Sequence, residues 1–271
     1  MKNIKKVLIL ALVFALLLPS AALANKLEDI KASGKLLVGT SINFPPFEFW
    51  YTDPATGQQK LEGFEMKFAQ GLADELGVEF VPVDQAFSGL ITELRAGSID
   101  CIASGMVMKP DRLEVADFST PYYTGKQVML VKTDNLEKYK TVEDINGQKL
   151  GVQMGALQVE IAAEQFPKSE TTQLDSIPML VMELKMGNTE GLLLADSVAG
   201  SYAKVYPEIA ISEIPVSYTS AGVGMAIAKT DDNKEFLDFI NAYVDKVLND
   251  GTFDKWVEEA YTINGLLLQQ N

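Results

Sequence analysis

The chain of 271 residues contains 37 acidic and 23 basic residues, no histidine and one cysteine, and 47% of its residues are hydrophobic. This composition is typical of a globular protein, and the net charge of −14 argues against nucleic acid and anionic membranes as partners. A zinc site and a Ser-His or Cys-His catalytic pair are excluded, and we expect no cofactor. The single cysteine, Cys101, lies in apolar sequence and is predicted to be a buried thiol.

Residues 1–24 have the pattern of a secretory signal peptide. Lys2, Lys5 and Lys6 precede an apolar run over 7–18, and residues 22–24 read Ala-Leu-Ala, an A-x-A cleavage pattern. The run is shorter than the roughly 20 residues that span a bilayer, so we expect cleavage after Ala24 and export of the remainder. The exported part then has 20 basic and 37 acidic residues, a net charge of −17.

The first half of the exported part alternates short apolar runs with amphipathic patterns. Strands are predicted at 36–40 and 78–83, and a four-residue apolar repeat predicts a helix from Phe64 that stops at Gly77. Pro45 and Pro46 exclude a helix and a strand ladder after the first strand. Phe44 therefore lies in a loop at a strand end, where open α/β sheets bind ligands, although it is equally compatible with the core.

The segment 98–123 reads as a strand, a glycine turn and a cationic loop. The strand is predicted at 99–102, Gly105 makes the turn, and Arg112 follows on a polar segment. A guanidinium just past a strand end can bind a carboxylate through two parallel hydrogen bonds. The alternative is a surface ion pair of Arg112 with a neighbouring acid: Asp111, Glu114 or Asp117.

The same pattern restarts in the second half. A strand at 149–153 and a turn at Gly155 precede a helix over 156–166, whose first free N–H groups, at Ala156 and Leu157, form an anion site. A helix at 177–186 and a strand at 192–195 follow, and the strand ends at Asp196, a candidate N-cap for the next helix. Two more amphipathic helices are predicted from about residue 231 to the C-terminus.

Four parts of the sequence, in order, resemble the periplasmic amino-acid-binding proteins of ABC importers. The third part is similar to the family pattern G-M-T-x-T-x-E-R-x-x-x-x-x-F-S-x-P-Y. The four parts are VGTSINFPPFEF (38–49) with GFEMKFAQGLADELG (63–77), FSGLITELRAGSID (87–100), GMVMKPDRLEVADFSTPYY (105–123) and DINGQKLGVQMGALQVE (144–160). The resemblance implies an α/β fold of two lobes, each a β-sheet flanked by helices, joined by a two-strand hinge. Lobe 1 is expected over 25–125 and 222–271, and lobe 2 over 126–221.

The resemblance also implies a set of ligand-binding residues. Phe44 and Phe87 correspond to the family aromatics that flank the ligand side chain, and Arg112 to the arginine that binds the α-carboxylate. Asp196 corresponds to the aspartate that accepts from the α-ammonium, with Glu190 as the competing carboxylate because the spacing from Gly187 is one residue longer than usual. Backbone groups are implied at three further positions: Gly105, Val107 and Leu157.

Three departures from the family pattern bear on the ligand. Val107 replaces a Ser or Thr, Ala156 with Leu157 replaces a hydroxyl-bearing pair, and Ser41 replaces an acid that recognises basic ligands. These changes favour a neutral or apolar amino acid, whereas Glu48 could restore a preference for a basic one.

The resemblance thus predicts a monomeric periplasmic or secreted receptor that binds an L-amino acid between its lobes and delivers it to an ABC transporter permease. Two alternatives stay open. One is a dehydratase of cyclohexadienyl substrates on the same fold, with Lys109 or Glu48 as the acid or base. The other is a ligand-sensing module.

Overall fold

The computed structural model describes residues 25–267, and its side chains through 265. The predicted signal peptide lies outside these residues. Strands occur at β1 (Lys35–Thr40), β2 (Phe49–Thr52), β3 (Gln59–Glu62), β4 (Glu79–Asp84), β5 (Cys101–Ile102), β6 (Ala116–Phe118), β7 (Gln127–Lys132), β8 (Leu150–Gln153), β9 (Thr171–Leu174), β10 (Gly191–Ala195), β11 (Ile209–Ile211) and β12 (Ala226–Ala228).

Helices connect most of these strands. They are α1 (Lys26–Ser33), α2 (Phe64–Leu76), α3 (Leu90–Ala96), α4 (Pro110–Leu113), α5 (Val142–Ile145), α6 (Gln158–Gln165), α7 (Ile177–Met186), α8 (Asp196–Val205), α9 (Lys234–Asn249) and α10 (Thr252–Leu267). None of the helices within 25–267 is both long and apolar enough to cross a membrane.

The strands form two five-stranded sheets, one in each of two α/β lobes, as the sequence predicts. The first sheet has the order β4-β1-β5-β12-β6, in which β1 is parallel to β4 and β5, and β12 is antiparallel to β5 and β6. The second sheet has the order β11-β7-β10-β8-β9, with β8 parallel to β9 and β10. The chain crosses between the sheets after β6 and before β12, and these segments meet in an antiparallel bridge between Tyr123 and Val223.

Helix α2 shows how the apolar repeat builds the first lobe. Phe64, Phe68 and Leu72 are fully buried, and the helix ends where Gly77 adopts a φ of 72° that favours glycine. The Phe68 ring lies 5.4 Å from that of Tyr243 in α9. Burial of each such side chain stabilises the fold by about 1.5–3 kcal/mol. Replacing Phe68 by alanine also leaves a cavity, so the free energy of unfolding would fall by about 3–5 kcal/mol.

One local prediction from the sequence is corrected by the structure, because the helix predicted from residue 156 begins at Gln158. Residues 49–62 form the antiparallel hairpin β2–β3. The last helix, α10, packs on α2 of lobe 1 and also contacts lobe 2, because Asn264 Nδ2 donates a hydrogen bond to Ser201 Oγ in α8 at 2.7 Å.

Candidate functional site: a cleft between the two lobes

A cleft opens between the carboxyl ends of the strands of the two lobes. Six of the seven residues predicted from the sequence line it: Phe44, Phe87, Gly105, Val107, Arg112 and Leu157. The seventh, Asp196, lines a neighbouring cavity. The topology brings segments more than a hundred residues apart to one place, as open α/β sheets do at their switch points.

Arg112 is the charged residue of the cleft. It lies in α4, whose first residue is Pro110, and it is only 5% exposed. Its Nη1 donates to the Val107 carbonyl at 2.7 Å and its Nη2 donates across the cleft to the Gly155 carbonyl at 3.0 Å. Its Cζ also lies 5.4 Å from the centre of the Phe87 ring.

The alternative of a surface ion pair for Arg112 is wrong. Its backbone N–H donates to Asp111 Oδ1 at 2.9 Å, but among the described residues no carboxylate oxygen lies within 4.0 Å of the guanidinium. Burial lowers the pKa of Arg112, since removing the cation from water costs free energy. Two of the five N–H donors of the guanidinium serve carbonyls, so the remaining donors of this cation, which has no carboxylate in contact among the described residues, fit an anion such as a carboxylate.

The glycine turn before α6 brings the second lobe close to the first. Gly155 has a φ of 70°, and a Cβ added to it would lie 3.2 Å from Ser88 Cα of lobe 1. The expectation that the Ala156 N–H is free is wrong, because it donates to the Gln153 carbonyl at 3.2 Å. No acceptor for the Leu157 N–H is found within residues 25–267, so this amide remains available to an anion.

Phe44 and Gly105 form one wall of the cleft. Gly105 has a φ of 57°, and a Cβ there would lie 2.5 Å from Phe44 Cε1, so only glycine fits. The Gly105 N–H is not free for a ligand, since it donates to Glu65 Oε2 at 2.6 Å. The Val107 carbonyl accepts from Arg112, but no acceptor for the Val107 N–H is found within residues 25–267. The prediction of an available backbone N–H is therefore wrong for Gly105, whereas the Val107 N–H remains available to a ligand.

Glu48 lies beneath this wall and is fully buried in lobe 1. Ser104 Oγ donates to its Oε1 at 2.8 Å, and Tyr122 donates to the adjacent Glu65. Burial raises the pKa of both carboxyls, and the nearby Glu65 raises that of Glu48 further. Glu48 is not among the residues that line the cleft.

The two candidate ammonium acceptors lie in different places. Asp196 is the first residue of α8, and its Oδ1 accepts from the N–H of the next residue, Ser197, at 2.9 Å. The N-cap of α8 is Ala195, so the alternative that Asp196 is the N-cap is wrong. The same oxygen lies 3.0 Å from where a Cβ of Gly125 would be, and Gly125 lines the cleft. Glu190 accepts from Tyr139 at 2.8 Å and has a structural role within lobe 2.

Sequence reasoning missed three glutamines that line the cleft from lobe 2. Gln158 Nε2 donates to Gln127 Oε1 at 2.7 Å, and Gln153 Nε2 donates to the Asp175 carbonyl at 3.0 Å. Each sits at the start or end of its strand or helix. No local pattern in the sequence distinguishes such a glutamine from a solvated one.

This geometry matches the comparison with known proteins. Residues 36–262 match the model of the bacterial extracellular solute-binding proteins, family 3, and the chain belongs to this family. The ABC transporter arginine-binding protein 1 of Escherichia coli (strain K12) is 29% identical over 237 residues, which cover 87% of this chain and 94% of that protein.

Solved structures agree in fold. The amino acid ABC transporter substrate-binding protein AbpA from Streptococcus pneumoniae, bound to L-arginine, has a TM-score of 0.83 and 29% identity, covering 88% of this chain and 98% of its own. The ancestral amino-acid-binding protein AncCDT-1, described as a precursor of cyclohexadienyl dehydratase, has a TM-score of 0.77 and 33% identity. The match covers 87% of this chain and 99% of AncCDT-1. The protein is thus an amino-acid-binding substrate-binding protein of the ABC transporter type.

Proposed function

We propose that this protein is a periplasmic or secreted receptor that captures a neutral L-amino acid and delivers it to an ABC transporter permease. The buried guanidinium of Arg112, which has no carboxylate partner among the described residues, carries this proposal. It would bind the α-carboxylate together with the Leu157 N–H. Asp196 would receive the α-ammonium past Gly125, whose missing side chain leaves the carboxylate within reach of the cleft.

The charge of the cleft supports a neutral ligand. Of the residues described as lining it, Arg112 is charged and none is acidic. Asp84 and Asp175 line a separate cavity beside Ser41, and Asp196, which lies behind Gly125, is assigned to the α-ammonium. A second cation on the ligand side chain would therefore be buried between Phe44 and Phe87 without a counter-charge, which is costly.

Binding and closure are coupled in this proposal, with hinges at 125/126 and 221/222. Contacts between the lobes surround the cleft: Lys109 Nζ lies 2.5 Å from Glu160 Oε1, and Ser88 Oγ donates to Asp175 Oδ1 at 2.6 Å. Closure brings the Gly155 carbonyl to Arg112, so the two lobes would enclose the ligand carboxylate together. A monomer with one cleft is sufficient for this cycle.

The test is thermal unfolding of refolded, ligand-free protein with each common L-amino acid, and with Arg112→Ala as the control. A ligand at 100 times its Kd adds about 2.7 kcal/mol to the free energy of unfolding, which raises Tm. We expect neutral L-amino acids to raise Tm in the wild type and not in Arg112→Ala. Stronger stabilisation by L-arginine than by every neutral amino acid would overturn the specificity, and stabilisation by no amino acid would overturn the receptor function.

An enzyme on this fold is the weaker candidate, although one structural neighbour is a dehydratase precursor. Lys109 is held between Asp111 and Glu160 at 2.9 and 2.5 Å, and neither it nor the buried Glu48 lines the cleft. The two acid–base candidates would therefore not reach a substrate bound to Arg112. We expect no change in absorbance when the protein is incubated with a cyclohexadienyl acid, and turnover would reverse this conclusion.

A further inference from the structure

A second cavity lies between the lobes, apart from the amino-acid cleft. Its volume is about 210 Å³, and it shares no lining residue with the cleft. Hairpin β2–β3 and the loop before it form one side, α8 forms the other, and α10 closes the end. The Tyr202 hydroxyl donates across it to the Asn43 carbonyl at 3.1 Å, which joins the two lobes at this point.

The walls of this cavity are mostly aromatic and apolar. Pro45, Phe49 and Trp50 come from lobe 1, while Val205 ends α8 and Tyr206 is the residue that follows it. Trp50 is 44% exposed, an unusual placement for so large an apolar side chain on a surface with this much negative charge. A cavity of about 150 Å³ lined by apolar side chains is enough to bind benzene, so this one has room for a substituted ring.

Asn264 brings to this cavity an amide oxygen that has no partner among the described residues. Asn264 is 4% exposed and lines the cavity from α10. The Ser201 hydroxyl donates to the Ser197 carbonyl at 2.9 Å, so it must accept from Asn264, and the contact at 2.7 Å is therefore made by Nδ2. This fixes the orientation of the amide and leaves Oδ1 as an acceptor. A ligand that fills the cavity would cover this oxygen, and a ligand that supplies a donor avoids leaving it unpaired.

We propose that this cavity is a second binding site, for a small planar aromatic molecule that carries one O–H or N–H donor. The ring packs among Pro45, Trp50 and Tyr206, and its donor reaches Asn264 Oδ1. A single ring with one donor can stack on the aromatic walls and pair with the amide oxygen. An aliphatic ligand would not stack on these walls, and a ring without a donor would leave the amide oxygen unpaired. Because the walls belong to both lobes, the site is complete only when the lobes are arranged as described here.

The experiment is a titration of ¹⁵N-labelled protein with phenol and, separately, with anisole, followed by NMR. It is made both without an amino acid and with the L-amino acid that raises Tm most, because closure of the lobes completes the site. The two probes share a ring, but only phenol has a donor. We expect phenol to shift the amide signals of residues 201–206 and the side-chain amide of Asn264, and to bind about 2- to 12-fold more tightly than anisole. Equal affinity for the two probes, or shifts confined to the residues of the amino-acid cleft, would overturn the proposal.

Variants separate this site from unspecific binding. Trp50→Ala removes an exposed wall and is expected to weaken phenol binding at least fivefold, whereas Tyr51→Ala, on the opposite face of the same strand, is expected to leave it unchanged. Asn264→Leu should abolish the preference for phenol over anisole. Equal binding by Trp50→Ala and Tyr51→Ala would contradict the site even if Asn264→Leu fails to fold. The difference between Trp50→Ala and Tyr51→Ala is compared within one condition, with or without an amino acid, so a failure of this site is distinguishable from a failure of the cleft to bind.

Discussion

Gly155 gives a direct way to separate closure of the lobes from stability of the fold. Its φ of 70° disfavours any residue with a Cβ, and the alanine Cβ would lie 3.2 Å from Ser88 Cα and 3.3 Å from Ser88 Cβ. The backbone strain at positive φ acts within lobe 2 in every state. The close contact with Ser88 acts only when lobe 1 is closed onto lobe 2, because Ser88 belongs to lobe 1.

The two effects have different magnitudes and readouts. An alanine at positive φ costs about 1–2 kcal/mol, which lowers the free energy of unfolding of the ligand-free protein. Carbon atoms normally pack at about 3.5–4.0 Å, so the contact with Ser88 forces the lobes apart by a few tenths of an ångström. Overpacking of this kind costs about 1–3 kcal/mol, so Gly155→Ala should weaken amino-acid binding by roughly 5- to 150-fold.

The assay is isothermal titration with the L-amino acid that gives the largest rise in Tm, paired with denaturant unfolding of the ligand-free protein. The matched control is Gly97→Ala, since Gly97 has a φ of 74° and nothing within 4 Å of its added Cβ. We expect both variants to lose similar stability and only Gly155→Ala to lose affinity. Equal affinity for the two variants would refute the reasoning that closure at Gly155 is part of binding.

Three further predictions concern the cleft and the carboxyls beneath it. Phe87→Ala removes a ring that lies 5.4 Å from the Arg112 guanidinium and that contacts the ligand in the proposed complex. Titration should therefore show binding weakened by about 1–3 kcal/mol, and unchanged affinity would exclude this role. Asp196→Asn should weaken binding about 10- to 150-fold by loss of a charged hydrogen bond, and a change below twofold would exclude Asp196 as the acceptor of the α-ammonium. The raised pKa of Glu48 means that its contribution to stability is present at low pH and is lost as pH rises through that pKa. Denaturant unfolding should therefore show that the stability of Glu48→Gln rises relative to that of the wild type between pH 5 and pH 8. Glu65→Gln disrupts the contacts to Gly105 and Tyr122 and should be less stable than the wild type at both pH values. A difference between Glu48→Gln and the wild type that stays constant with pH would contradict a protonated Glu48.

The elements with strong apolar repeats could be predicted from the sequence. Helix α2 ends at Gly77 as expected, and β1 begins at Lys35, one residue before its predicted start. Such patterns report burial on one face, which is a local property of the chain. The position of Arg112 after a strand and a glycine turn is also visible in the sequence. Its neighbours Asp111, Glu114 and Asp117 leave a surface ion pair open, and the family resemblance indicates the ligand carboxylate instead.

Contacts between distant segments could not be predicted in the same way. The N–H of Gly105 is occupied by Glu65, forty residues earlier, and Gln127 pairs with Gln158 across the second lobe. The aromatic cavity likewise joins Trp50 to Asn264. A sequence shows which groups can donate and accept hydrogen bonds, but only the fold decides which of them meet and which remain free for a ligand.

The central claim is that Arg112 binds the α-carboxylate of an amino acid. The most direct measurement compares, by titration calorimetry, the preferred L-amino acid with its α-carboxamide in the wild type and in Arg112→Ala. Two charge-assisted hydrogen bonds contribute about 3 kcal/mol or more, so the wild type should prefer the acid by about 100-fold, and Arg112→Ala should show almost no preference. A preference for the acid that persists undiminished in Arg112→Ala would contradict the account.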